Sequence, residues 1–216
     1  MFTGKIIVIS DTHDICMDYI LQHIRDLHPA TILLNGDITS QATLNAYSSL
    51  CPELFPVRGD KDTLPLPRRN VQSFNGMRIG QTHGDRPAYR EKPSIFINRI
   101  LAGHGYFWNA FAFDALSQFP MPLDFLVTGH LHVPFIRKIG ETTVVNPGAI
   151  AVNSKSHHLL VPTIAVLEPC SIGFEPVILA LKKGRKPYHL IVDGSGPIQA
   201  FYPAHPVDKM LKQGAF

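Results

Sequence analysis

The sequence predicts a layered α/β fold, and three observations predict it. Over residues 5–58, short continuous apolar runs alternate with segments of helical spacing. After that the chain changes to β-rich runs with short links. Five of the strands run directly into a turn that carries Asp or His. Alternating strand and helix argues for a layered fold with a mainly parallel first sheet.

Lys5-Ile6-Ile7-Val8-Ile9-Ser10 is apolar, rich in β-branched residues and closed by polar residues, which reads as a buried strand. From Asp18 to Leu27, apolar Tyr19, Ile20, Ile24 and Leu27 fall at helical spacing, and Pro29 ends the pattern. Thr31-Ile32-Leu33-Leu34-Asn35 is a second buried strand, Ala42 to Leu50 a helix, and Leu54 to Arg58 a third strand. Further strands are expected at Arg78–Thr82, Phe125–Thr128, Phe135–Arg137, Thr143–Val145, Thr163–Leu167 and Phe174–Leu181, giving hairpins and a second sheet. Residues 86–120 hold Tyr89, Phe96, Tyr106, Phe107, Trp108, Phe111 and Phe113. One or two helices that bury these rings would explain them, with Gly103-His104-Gly105 as an interruption; a cap beside the site or a dimer contact is the sharper alternative. With no repeat or low-complexity linker, the whole span 1–216 reads as a single domain.

A hydrophobic content of 45% against 17% charged residues places the chain among globular proteins rather than disordered ones. The net charge of +3 is too mild to imply a nucleic-acid polymer or an anionic membrane surface as partner. The basic run Lys182-Lys183-Gly184-Arg185-Lys186 reads as a solvated loop. Cys16, Cys51 and Cys170 are odd in number and form no CxxC, which suits free thiols in a reducing compartment. The first strand pattern starts without a charged-then-apolar leader, and no apolar stretch nears the roughly 18 residues of a membrane span. A cytoplasmic protein is the expectation.

The chemistry is concentrated in five turns: Asp11-Thr12-His13, Gly36-Asp37, Gly59-Asp60-Lys61-Asp62, His83-Gly84 and Gly129-His130-Leu131-His132. Each follows a strand, and in open α/β sheets ligands bind beyond the carboxyl ends of strands. Each turn alone is a weak signal, because Asp and Gly are ordinary turn residues and a core His usually hydrogen-bonds. The ordered set is specific. Oxygen and imidazole donors without thiolate suit Mn, Fe, Zn, Ni or Co, and two such ions about 3.5–4 Å apart can clamp a phosphoryl group and ionise a water.

In this order the turns resemble the calcineurin-like metallophosphoesterase superfamily. Val57-Arg58-Gly59 and Asn146-Pro147-Gly148 resemble the small phosphodiesterase branch of bacteria and archaea and the related retromer subunit of eukaryotes. The resemblance covers about residues 5–150; residues 170–216 are an extension without a counterpart. It implies a four-layer sandwich, two facing mixed β-sheets flanked by helices. It also implies ligands for two divalent ions, Mn²⁺ first among them. Asp11, His13 and His132 would hold one, His83, His130 and Asp60 the other, and Asp37 would bridge both. A hydroxide between the metals would displace the alcohol of a small phosphoester.

Two positions depart from that pattern. Asp60 stands where catalytic members generally carry Asn, and Lys61 where many carry the His that protonates the leaving group. The retromer subunit, a scaffold, resembles this chain in having Asp at the first position. Two ions with Asp11, Asp37 and a hydroxide give a centre of about +1; Asp60 lowers that to about 0, and Lys61 would restore it. Asp37, Asp60 and Lys61 are therefore the candidate catalytic residues. Asp14 and Asp85 could orient imidazoles and Arg58 and Arg86 could meet a phosphate, although solvated turns and surface arginines explain these better, and Asp62 is expected to fix its loop rather than to bind metal. Hydrolysis of a phosphodiester is the leading function. A scaffold with a residual metal site is the alternative, and a phosphomonoesterase or protein phosphatase fits less well because the chain is short. Homo-oligomerisation stays open.

Overall fold

The computed structural model describes residues 2–86, 106–152 and 161–190. The first strand, β1 (Lys5–Ile9), leads through α1 (Asp18–Asp26) to β2 (Pro29–Asn35), and α2 (Gln41–Ser48) leads to β3 (Glu53–Val57). A hairpin follows, β4 (Arg69–Phe74) and β5 (Met77–Thr82). Next come α3 (Tyr106–Leu116), β6 (Phe125–Val127), β7 (Pro134–Ile139) and β8 (Thr142–Pro147). The described chain closes with β9 (Thr163–Cys170), β10 (Gly173–Ala180) and β11 (Tyr188–Leu190).

These strands form two sheets, one of six strands in the order β11-β10-β9-β1-β2-β3 and one of five in the order β4-β5-β6-β8-β7. Only β1–β2 and β2–β3 are parallel in the first sheet; β9 runs antiparallel beside β1, and β10 and β11 continue that sense. The expectation of a mainly parallel first sheet is thus corrected to a mixed one. The late hairpin β9–β10 docks on the open edge of β1, a long-range pairing that no local pattern announces. The second sheet is mixed too, with β5, β6 and β8 parallel and β4 and β7 antiparallel to their neighbours.

Strand alternation explains the layers. Ile6 and Val8 point between the sheets, where they meet Ile79, Phe125, Val127 and Val145. Ile7 and Ile9 point the other way, onto Ile20 and Ile24 of α1 and Tyr47 of α2. In β6, Leu126 turns outward to Phe111, Ala112 and Ala115 of α3. Both faces of β1 are buried, so its sequence reads as a continuous apolar run. The result is helix, sheet, sheet, helix. Ser40 caps α2 by accepting from Thr43 N, and Tyr47 donates to the Ile15 carbonyl at 3.0 Å, tying that helix to the turn after β1.

Strands β4 and β11 are absent from the sequence reading. The helical reading of the aromatic stretch meets the structure only in α3, which buries Phe111 and leaves Phe113 exposed. Tyr89, Phe96 and the Gly103-His104-Gly105 interruption lie outside the described residues. Within the 170–216 extension, β10 pairs with β9 along its whole length and β11 completes that edge. Cys16, Cys51 and Cys170 are free.

Candidate metal centre

The carboxyl ends of β1, β2 and β3 and those of β5 and β6 lie at one end of the two sheets, and the five turns meet there. Backbone hydrogen bonds lace them together. Asp11 N donates to the Gly36 carbonyl, His13 N to the Asp37 carbonyl, Gly129 N to the His83 carbonyl and Ala151 N to the Asp11 carbonyl. Asp11, His13, Asp37, His130 and His132 all adopt left-handed backbone conformations, with φ between 41° and 67°. Asp and His tolerate this region better than most residues, and such conformations persist where surrounding bonds over-determine them.

The seven predicted ligand residues converge. Asp11, His13 and His132 place donor atoms within 4.8 Å of one another, as do Asp60, His83 and His130, and Asp11, Asp37 and His83 form a third group that joins the other two. His132 Nε2 lies 3.1 Å from Asp11 Oδ1, and His13 Nε2 lies 3.6 Å from Asp37 Oδ2. His83 Nε2 is 3.5 Å from Asp37 Oδ1 and 3.6 Å from Asp60 Oδ1, and His130 Nδ1 is 3.6 Å from the same Asp60 oxygen. Atoms that share an ion at about 2.1 Å stand about 3.0–3.4 Å apart, so this spacing fits cation ligation. The two oxygens of Asp37 face different groups, which is what a bridging carboxylate requires.

His83 supplies the firmest test of fit. Its Nδ1 donates to the Asn35 carbonyl at 2.7 Å, so Nε2 is the nitrogen that carries the lone pair once the ring is neutral. That atom is fully buried, makes no hydrogen bond and is aimed at carboxylates. An imidazole with one nitrogen anchored on a carbonyl and the other facing acidic oxygens is the usual build of a metal-binding histidine. The oxygen-and-imidazole donor set fits a divalent ion of the Mn, Fe, Zn, Ni or Co class.

Charge is concentrated accordingly. Burial alone would lower the His83 pKa, but Asp11, Asp60 and Asp37 outweigh it and push it up to about 10. Burial pushes the Asp11 carboxyl up, yet its contact with His132 and the His83 charge hold it below the usual range. Asp60 is held well below that range, chiefly by His83 and also by Lys61. Burial pushes Asp37 up. A cation that replaced the proton on His83 would meet a pocket already arranged for positive charge.

The remaining predicted residues have other partners. Lys61 sits at the rim; its ammonium bonds Asp60 Oδ2 at 2.5 Å and its backbone N–H bonds Asp37 Oδ1 at 2.9 Å. The Asp62 carboxylate accepts from Ile38 N, Thr39 N and Gly59 N, so it fixes the loop. Asp14 is exposed and bonds Thr43 at the start of α2. Asp85 pairs with Arg68 at 3.8 Å, and Arg86 with Asp114 at 3.1 Å. His104, His157 and His158, whose sequence surroundings carry no ligand pattern, lie outside the described residues.

Sequence reasoning missed three supporting groups. The Asn35 carbonyl anchors His83. Ser10 donates to Asp11 Oδ2 at 2.6 Å, leaving Oδ1 for the site. Asn146 holds the Gly129 carbonyl at 2.7 Å and receives Gly148 N at 2.9 Å, which clamps the turn of His130 and His132. Asn146 was visible only as part of the Asn-Pro-Gly signature. Gly129 is required because a Cβ there would fall 1.9 Å from Ser10 Oγ and 2.7 Å from the Asn35 carbonyl.

Two mixed sheets between helices, with an Asp/His cluster at their shared end, define a metallophosphoesterase-type architecture. The chain belongs to the calcineurin-like phosphoesterase superfamily, whose domain model matches residues 5–171. It is similar to a protein described as a probable metallophosphoesterase from Methanocaldococcus jannaschii, 29% identical over 114 residues, or 53% of this chain. That match spans about half, 50%, of the archaeal protein's length. A second such protein, from Methanothermobacter thermautotrophicus, is 27% identical over 150 residues, covering 66% of this chain and 74% of its own. Among solved structures, the fold is similar to Vps29 from Entamoeba histolytica complexed with Zn²⁺, with TM-score 0.62 and 21% identity over 86% of this chain and 98% of that one. It is also similar to a predicted phosphoesterase from Streptococcus pneumoniae, with TM-score 0.52 and 21% identity over 88% and 99% of the two chains. Among the described residues, no helix is long and apolar enough to cross a membrane.

Proposed function

We propose that the protein hydrolyses a small phosphodiester with the help of two divalent ions, Mn²⁺ being the first candidate. The carrying observation is the pair of Asp/His groups joined through Asp37. Asp11, His13 and His132 would hold one ion, Asp60, His83 and His130 the other, and Asp37 would touch both. When bound, the ions supply Lewis acidity, an activated water and a clamp on the phosphoryl oxygens. The chain's own residues set the geometry: Ser10 and Asn35 fix the carboxylate and imidazole that face the ions, and Asp62 fixes the turn that presents Asp60.

Charge favours a diester. Two ions offset by Asp11, Asp37, Asp60 and a hydroxide come to about zero, and Lys61 at the rim returns the centre to about +1, matched to a monoanion. No imidazole stands at position 61 to protonate a departing alkoxide. Leaving groups that need little protonation should therefore react fastest, because positioned acid catalysis is worth about 10²–10⁴-fold.

The test is turnover of a bis-aryl phosphate with and without Mn²⁺, beside Asp37→Asn. The expected result is metal-dependent turnover that falls by about 10³-fold or more in the variant, with aryl diesters cleaved faster than alkyl ones. Equal aryl and alkyl rates would remove the missing-acid argument, and metal-independent turnover would remove the mechanism. The second reading is a protein-binding scaffold that keeps its metal site. The likeness to Vps29 folds and the exposed apolar Phe113 and Met121 favour it. A metal-loaded protein without turnover of any phosphoester would select that reading.

A further inference from the structure

Asp60 divides its two oxygens between different tasks. Oδ1 faces His83 Nε2 and His130 Nδ1, each at 3.6 Å. Oδ2 faces outward and accepts the Lys61 ammonium. The corresponding carboxylate of the other group, Asp11, is fully buried and receives Ser10 Oγ and His130 N on its Oδ2. The Asp60 side chain is 32% exposed, and that of Lys61 is 61% exposed. The two cation positions are therefore unequal. One is lined by a buried carboxylate whose Oδ2 is held by a hydroxyl and a backbone N–H, the other by a carboxylate at the rim whose Oδ2 is held by a lysine ammonium.

We propose that Lys61 is a built-in counter-cation that weakens divalent-ion binding at the Asp60–His83–His130 position and, in the loaded site, adds affinity for the phosphoryl anion. This rests on the metal-dependent reading above and deepens it. Like charge next to a ligand opposes the incoming ion, while the same ammonium attracts the substrate's negative oxygens at the mouth. Lys61 donates its backbone N–H to Asp37 as well, a bond that Met or Arg at this position keeps. The consequence is a tightly held ion at the Asp11–His13–His132 position and an exchangeable one beside Asp60.

The test is calorimetric titration of the metal-free protein with Mn²⁺, comparing the native chain with Lys61→Met, Lys61→Arg and Lys183→Met, followed by titration of each loaded protein with inorganic phosphate. Lys183 is in the turn after β10, which contributes no residue to the Asp/His groups, and controls for net charge. The expected result for Lys61→Met is about tenfold tighter Mn²⁺ binding in the weaker of two steps, an unchanged tighter step, and about tenfold weaker phosphate binding. Lys61→Arg should behave like the native chain, and so should Lys183→Met. If Lys61→Met leaves both steps unchanged, or shifts both equally, the inference is overturned while the metal-dependent reading stands. If the native chain takes up no Mn²⁺, the earlier reading itself fails.

Discussion

His83 has one ring nitrogen committed to the Asn35 carbonyl and the other turned toward Asp11, Asp37 and Asp60. In the metal-free protein these carboxylates keep a proton on the ring up to about pH 10, far above the usual histidine value of about 6.5. The folded pKa is raised, so the stabilisation is complete below about pH 6.5 and is lost as pH rises through about 10. Between these limits the native state binds a proton that the unfolded chain does not, and metal-free stability should fall with pH by up to about 1.4 kcal/mol per unit. Denaturant unfolding of the stripped protein at pH 7 and pH 9 checks this. Equal stability at both would contradict the placement of His83. Metal binding needs the same Nε2 free of its proton, so Mn²⁺ uptake at pH 7–9 should release about one proton from this residue, and affinity should weaken as pH falls. Calorimetry in buffers of different ionisation heat measures the release. His83 itself was legible from its position after a strand. Its anchor was not, because a backbone carbonyl carries no side-chain signal in a sequence.

The turns work because the elements before them are rigid. Strands β1 and β2 are buried on both faces, and their apolar runs made them readable. Strand β4, Arg69-Asn70-Val71-Gln72-Ser73-Phe74, was not readable, since polar residues dominate it and it is an edge strand. Strand β11 is three residues long and also at an edge. The antiparallel docking of β9 beside β1 was beyond reach too, because it depends on which edges remain open after the first three strands pair. Two substitutions test how the elements hold the site. Tyr47→Phe removes the bond from α2 to the Ile15 carbonyl and should cost about 1–3 kcal/mol of stability, measured by denaturant midpoint, with metal affinity little changed. Gly129→Ala drives a Cβ toward Ser10 and the Asn35 carbonyl. It should displace the His130–His132 turn and weaken Mn²⁺ binding by at least about tenfold. An alanine variant with native affinity would show that the turn does not need this close approach.

At the scale of the molecule, two sheets from distant parts of the chain share one end, and the site exists only where they meet. Asp11, Asp37 and Asp60 come from the first sheet and His83, His130 and His132 from the second. Ions held by these residues would therefore cross-link the sandwich. Anything that binds the native state alone stabilises it, by about 2.7 kcal/mol at a hundred times the dissociation constant. Loading with Mn²⁺ should accordingly raise the unfolding temperature, and a chelator should reverse the gain. The sequence already carried this convergence, because five Asp/His turns after five strands have few other reasons to recur. Anomalous diffraction from crystals soaked in Mn²⁺ addresses the claim most directly. The account predicts two peaks about 3.5–4 Å apart, one among Asp11, His13 and His132, one among Asp60, His83 and His130, with Asp37 between them. A single peak away from these side chains, or none in a crystal whose turns are intact, would contradict it.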